Sequence, residues 1–146
     1  MSFMAVVQKN KNKVRPVIDY RRLNEFVSSH SAEAGACGDK LKEWRGMGSN
    51  LAIVDLKSAY LQIHFAKDLW KYQVVRFHAQ NYALTRLGFG LNVATKIMTA
   101  IVRKVLSMNI KTESATDSYI DYIIVNLQNF SVTEVVKQLS DYGLET

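Results

Sequence analysis

Ser118-Tyr119-Ile120-Asp121-Tyr122-Ile123-Ile124-Val125-Asn126-Leu127 is the stretch on which the fold turns. Two short runs rich in β-branched and aromatic residues, Tyr119-Ile120 and Ile123-Ile124-Val125, flank Asp121-Tyr122. That pattern predicts a tight hairpin with Asp121 at its tip. Upstream, Leu51-Ala52-Ile53-Val54 predicts a short buried strand that ends on Asp55, where a carboxylate serves no packing purpose. Between them, Val93, Ile97, Ile101 and Val105 recur at every fourth position, with Ala94, Met98, Val102 and Leu106 beside them. This is the apolar face of a helix that Asn92 can cap, with Lys96, Thr99, Arg103, Lys104 and Ser107 opposite. Downstream, Ser131-Val132-Thr133-Glu134 is a capping box that opens a helix over Val132, Val135, Val136 and Leu139, and Gly143 ends it.

Towards the start, Val6 to Gln8 and Val14 to Tyr20 predict two strands joined by the basic run Lys9-Asn10-Lys11-Asn12-Lys13. Pro16 belongs near a strand start or on an edge, because it cannot donate to a ladder. Arg21 to Phe26 turns away from this hairpin. Ser31 to Arg45 predicts a helix capped by Ser31, with Cys37, Leu41 and Trp44 on one face and weakened by Gly35 and Gly38. Tyr72 to Phe77 and Tyr82 to Thr85 predict a second hairpin around His78-Ala79-Gln80-Asn81, and Gly88-Phe89-Gly90 breaks it. The order of strands, helix, strands, helix, hairpin and helix is an α+β pattern within one domain of 146 residues.

Composition narrows the class. One Cys and one Pro exclude a disulfide scaffold and a collagen, and no apolar run approaches the ~18 residues of a membrane span. The lone Cys37 fits a reducing, intracellular compartment, cytoplasm or nucleus. Charge is uneven: residues 1–110 hold 17 basic and 7 acidic groups, a net of +10, and residues 111–146 hold 2 and 6, a net of −4. A basic body suits a polyanion such as nucleic acid or nucleotide, and solvated surface lysine is the alternative. His30, His64 and His78 have no Cys or His partners at ligand spacing, so no zinc site is expected.

Four segments in order resemble reverse transcriptases of the retrotransposon type. Val14-Arg15-Pro16-Val17-Ile18-Asp19-Tyr20-Arg21-Arg22-Leu23-Asn24 looks like their fingers motif, and Leu51 to Ile63, with Asp55 and Ser58-Ala59-Tyr60, resembles their first palm motif. Arg86 to Ala94, around Gly88-Phe89-Gly90-Leu91-Asn92, is similar to the loop and helix that support template and nucleotide. Tyr119-Ile120-Asp121-Tyr122 resembles the Tyr-x-Asp-Asp hairpin. The resemblance implies a partial right-hand polymerase: an antiparallel palm sheet with packed helices (about 51–65 and 96–146) and a fingers hairpin and its surroundings (about 1–50 and 66–95). It also implies that the chain stops before the primer grip and thumb, which would leave an apolar face exposed.

The implied chemistry is template-directed DNA synthesis with two Mg²⁺ ions, in partnership with RNA or DNA template-primer, deoxynucleotides and other polyprotein segments, and with no membrane. Asp55 and Asp121 are the implied catalytic and metal-ligating residues, brought to one point by neighbouring strands. Arg15 is the implied contact of the incoming triphosphate, and Lys9, Lys11 and Lys13 of the basic run include a second, taken as Lys13, with a solvated loop as the alternative. Tyr60 matches the steric gate, with a core tyrosine as the alternative. Gly88, Phe89 and Gly90 match the loop against the nucleotide, with a plain strand-to-helix turn as the alternative.

Two substitutions depart from the pattern. Tyr122 stands where the family has its second hairpin aspartate, so two carboxylates remain of three. A phenol of pKa about 10 is a poor Mg²⁺ ligand. A missing ligand worth ~4 kcal/mol of transition-state stabilisation slows the reaction roughly 10³-fold. Asp117 is no substitute: four residues along a strand is about 13 Å. Thr95 stands near a proline position of the family.

Overall fold

The computed structural model describes residues 1–28 and 36–146. Its central element is a three-stranded antiparallel sheet of β3 (Leu51–Asp55), β6 (Thr116–Tyr119) and β7 (Tyr122–Asn126), in the order β3-β7-β6. The register pairs Asp55 with Tyr122, Ile53 with Ile124, Asp117 with Ile124 and Tyr119 with Tyr122. Side chains alternate across a sheet, so Val54, Ile123, Val125 and Ser118 share one face, and Ile53, Asp55, Tyr122, Ile124, Asp117 and Tyr119 share the other.

The first face carries the main core. Helices α4 (Ala94–Leu106) and α6 (Val132–Asp141) cover it, and Met98, Val102, Ile123, Val125, Val135 and Leu139 have no exposed surface. The centre of the α4 stripe is Ala94, Met98, Val102, Val105 and Leu106; Ile97 and Ile101 are half-buried at its margin. The expected row at 93, 97, 101 and 105 is therefore rotated by about one position. Periodicity alone cannot rank two adjacent apolar rows. α6 starts on the expected capping box, with Thr133 N–H donating to Ser131 Oγ at 3.1 Å, and Gly143 turns the chain at φ 80°.

On the second face, α2 (Ala36–Gly46) packs at the β6 edge and Ile124 is buried, while Ile53 and Tyr122 stand exposed. Trp44 Nε1 donates to Asp117 at 2.6 Å, and Lys40 bridges Asp117 at 2.9 Å and Glu43 at 2.8 Å. The Trp44 ring meets Tyr119 edge-on at 6.4 Å. Asp117 is thus spent on an ion pair. Leu41, expected on the apolar face of this helix, is exposed, because the helix docks through Lys40 and Trp44. The Ser31 cap, His30 and Gly35 lie outside the described residues, as does the Cys37 side chain. β3 is an edge strand, so Ile53 is exposed and the fully buried strand expected there is buried only at Val54.

Two separate hairpins complete the fold. β1 (Phe3–Gln8) pairs with β2 (Lys13–Ile18) through a 3₁₀ turn at Lys9–Lys11, and β4 (Val74–Phe77) pairs with β5 (Gln80–Ala83). The second turn is tighter than expected: His78 and Ala79 both take positive φ, 47° and 63°, as a two-residue turn demands, so Gln80 and Asn81 join the strand. Phe3 packs edge-on to Phe77 at 5.6 Å and links the hairpins. Val75 is buried, but many of their large apolar side chains, among them Phe3, Val6, Val7, Val14, Phe77 and Tyr82, stand exposed. Three short helices, α1 (Arg21–Asn24), α3 (Ala59–Gln62) and α5 (Ile110–Ala115), serve as connectors; the sequence pattern had shown none of them.

Candidate active site

Apolar β-branched residues hold β7 in the middle of the sheet, and this places the site. Ile123 and Val125 are locked in the core, which fixes which face Tyr122 occupies. Tyr122 then lies directly across from Asp55, on one side of the sheet. One step further, the Leu56 N–H donates to the Asp121 carbonyl at 3.4 Å, so the register continues to the end of the hairpin. That makes Asp55 and Tyr122 a non-hydrogen-bonded pair, whose Cα atoms approach to about 4.5 Å. Asp55 and Tyr122 therefore share one side at the end of two neighbouring strands, and Asp121, opposite Leu56, follows one position further on in the turn. Tyr122 keeps 48% of its surface exposed.

The turn itself is unusual. Ile120 takes φ 60°, a left-handed conformation that a β-branched residue rarely adopts. Such backbone persists only where its surroundings impose it, and it clusters at functional sites. Here the pairing of Tyr119 with Tyr122 on one side and Leu56 with Asp121 on the other imposes it.

Among the described residues, neither the Asp55 nor the Asp121 side chain has a hydrogen bond or an ion pair, whereas Asp117 and Asp19 are both held by cations. Hydrogen bonds from Arg21 bring the Asp19 carboxyl down to about 2. Burial alone would raise the Asp117 carboxyl, but the hydrogen bonds and charge of Lys40, with the Trp44 indole, leave it below the ordinary range. The two candidate ligands are thus uncommitted, as are the exposed carboxylates of Glu25, Asp68, Glu113 and Glu145. No group of three or more His, Cys, Asp or Glu side chains suited to a metal occurs among the described residues. A pair of carboxylates fits Mg²⁺ only when substrate phosphates and water complete the shell, since that ion takes one or two carboxylates alongside phosphate oxygens.

The remaining expected residues fall in two places. Lys13 and Arg15 are exposed on one face of the β1–β2 ribbon; Phe3, Val7, Val14 and Pro16 lie on the other. No hydrogen bond or ion pair among the described residues ties Lys13 or Arg15 to the carboxylate end. Tyr60 follows the β3 carboxylate on α3 and is half-buried between the two core clusters, with its hydroxyl 3.4 Å from Thr95 Oγ1. Thr95 thus supplies a polar partner to Tyr60.

Gly88 and Gly90 are needed for a reason the sequence did not show. A Cβ on Gly88 would stand 1.9 Å from the Tyr20 hydroxyl, and one on Gly90 2.6 Å from the Tyr20 ring. The close approach visible here is to a buried tyrosine. Burial pushes the Tyr20 phenol up, so it stays protonated and donates to the buried Gln73 at 3.4 Å. Phe89 between the glycines is 60% exposed. Asn92 does not cap α4: Val93 occupies that position, and the Asn92 amide reaches back to Val27 O at 3.1 Å. Asn24 on α1, never singled out in the sequence, donates to Gly90 O at 2.9 Å and accepts from the Asn92 N–H at 3.0 Å.

No protein-family model matches the chain, and no curated protein matches it. Solved structures do. A foamy viral protease-reverse transcriptase dRH in complex with double-stranded DNA superposes with a TM-score of 0.71 and 23% identity, over 98% of this chain and 25% of that one. A foamy viral protease-reverse transcriptase in complex with double-stranded DNA gives 0.65 and 22%, over 98% of this chain and 30% of that one. The chain therefore spans between a quarter and a third of the length of these proteins, and at this identity the likeness speaks to architecture. Its mixed helices and antiparallel sheet form part of a reverse-transcriptase-like fold.

Proposed function

We propose that the chain is the fingers-and-palm part of a reverse transcriptase from a mobile element, with a two-metal nucleotidyl-transfer site reduced to two carboxylates. The observation that supports this reading is the register: Asp55 faces Tyr122, and the Leu56 N–H bonds to the Asp121 carbonyl, so the backbones of both acids stand at the same end of the sheet. A retrotransposon source is part of the proposal and rests on the four ordered motifs.

When bound, Mg²⁺ would stabilise negative charge on the attacking 3′-oxygen and on the leaving pyrophosphate. Asp55 and Asp121 would hold it. Tyr122 contributes a ring at the third ligand position in place of a carboxylate. Tyr60, fixed by its packing and by Thr95, offers a ring edge beside the site. Lys13 and Arg15 supply positive charge for the triphosphate from the exposed ribbon. Double-stranded DNA bound by the structural neighbours is consistent with a template-primer partner.

Primer extension with Mg²⁺ or Mn²⁺ tests the reading. The wild-type chain is expected near background, and Tyr122→Asp is expected to raise extension, by up to roughly 10³-fold if the missing ligand is worth ~4 kcal/mol. Asp55→Asn in that background should abolish the gain. Robust wild-type extension lost in Asp55→Asn would preserve the site but refute the impairment by Tyr122.

A second reading has its own support: the net +10 of residues 1–110 suits a non-catalytic nucleic-acid binder. It requires binding that falls steeply as salt rises, because phosphate contacts release counterions. Binding absent at 50 mM salt, or indifferent to salt, counts against it.

A further inference from the structure

Phe89 is an exposed ring on a loop whose other members are all anchored. Leu87 and Leu91 are buried on either side of it, at 0% and 5% exposure. Gly88 and Gly90 lie against the Tyr20 ring, and Leu91 N–H closes a turn onto Gly88 O at 3.1 Å. With its neighbours anchored, the Phe89 ring is held out from a fixed backbone, where a ligand can meet it.

The anchor comes from α1. Asn24 grips the loop at two points with one side chain: its Nδ2 donates to Gly90 O at 2.9 Å, and its Oδ1 accepts from Asn92 N–H at 3.0 Å. Asn92 returns the contact, its Nδ2 donating to Asn24 O at 3.5 Å and to Val27 O at 3.1 Å. A planar amide that is donor and acceptor at once can fix both the position and the orientation of a peptide loop, which neither a carboxylate nor an aliphatic chain can do.

We infer that Asn24 is a positioning residue for the nucleotide, acting through the Gly88–Asn92 loop to set where the Phe89 ring stands. The inference rests on the reading under Proposed function, since it takes the ligand of Phe89 to be a deoxynucleoside triphosphate. A ring stacked on base or sugar is worth roughly 5- to 150-fold in affinity, provided it is held in place.

A double-mutant cycle on the full chain decides it, with the Mg²⁺ complex of deoxyadenosine triphosphate as the probe and calorimetry as the readout. Phe89→Ala and Asn24→Ala are each expected to weaken binding about tenfold, and the double variant to bind no more weakly than either single one, because Asn24 acts only through Phe89. A merely structural role would leave the two losses independent. Asn24→Asp keeps the acceptor for Asn92 N–H and loses the donor to Gly90 O, so an intermediate loss is expected, and this variant carries the test should Asn24→Ala fail to fold. Losses that multiply to about a hundredfold, or an Asn24→Ala or Asn24→Asp chain that binds as the wild type does, overturn the inference and leave the proposed function standing. A wild-type chain that binds no triphosphate at millimolar concentration overturns both.

Discussion

The three-stranded sheet and the β1–β2 ribbon differ in what fixes them. Ile123 and Val125 in the sheet are fully buried against two helices, whereas Val7 and Val14 in the ribbon are 63% and 62% exposed. Both carry residues implied in the same chemistry. The sheet holds the carboxylates at a register that cannot slip without turning its core side chains to solvent. The ribbon holds Lys13 and Arg15 on a two-stranded hairpin, an element that is marginal by itself. Metal ligands need placement to a fraction of an ångström, and a triphosphate grip needs only charge and reach. On the proposed reading, the burial of each element matches that requirement.

Core truncation gives the largest contrast. Met98→Ala, under the sheet, is expected to lose about 2–5 kcal/mol, while Val6→Ala on the ribbon stays within about 0.5 kcal/mol. Denaturant unfolding measures both; equal losses would break the distinction. Next comes the loop between the halves. Gly88→Ala forces a Cβ into Tyr20 and is expected to cost about 1–3 kcal/mol, whereas Gly38→Ala, with open space around it on α2, is expected to gain up to about 1 kcal/mol.

The α2 clasp is smaller and depends on pH. The Asp117 carboxyl is lowered in the fold, so its contribution is complete above the unfolded value of about 4 and is lost as pH falls through the folded value. Acid should loosen α2 only below about pH 4, and Asp117→Asn should flatten that limb of the stability profile. Acid titration followed by Trp44 fluorescence checks it, with Trp70→Phe removing the second indole. A limb unchanged in Asp117→Asn would remove the clasp from the account. Smallest is Ser131→Ala, which breaks the capping box of α6 for about 1 kcal/mol.

Local rules reached the hairpin at Asp121, the capping box and the existence of α4, because each is written in a few adjacent residues. They missed whatever depends on partners distant in sequence. Asn92 carries the signature of a helix cap, yet its amide is committed to Val27, 65 residues away. Leu41 fits an apolar stripe, but α2 meets the sheet through Lys40 and Trp44. Gly88 and Gly90 announce a close approach without saying to what, and the ring of Tyr20 is visible only in three dimensions. Of the candidate site, the three positions at the sheet end were legible as residues. Their convergence required the β3–β7 register, and the role of Asn24 required the fold.

Divalent-cation binding tests the central claim most directly, because it needs neither primer nor template. Mn²⁺ titration followed by electron paramagnetic resonance is expected to show weak binding to the wild type, at least tenfold tighter binding to Tyr122→Asp, and loss of that gain in both Asp55→Asn and Asp121→Asn. An affinity unmoved by Tyr122→Asp, or a gain that survives removal of Asp55 and Asp121, would contradict a shared metal site at the end of β3 and β7.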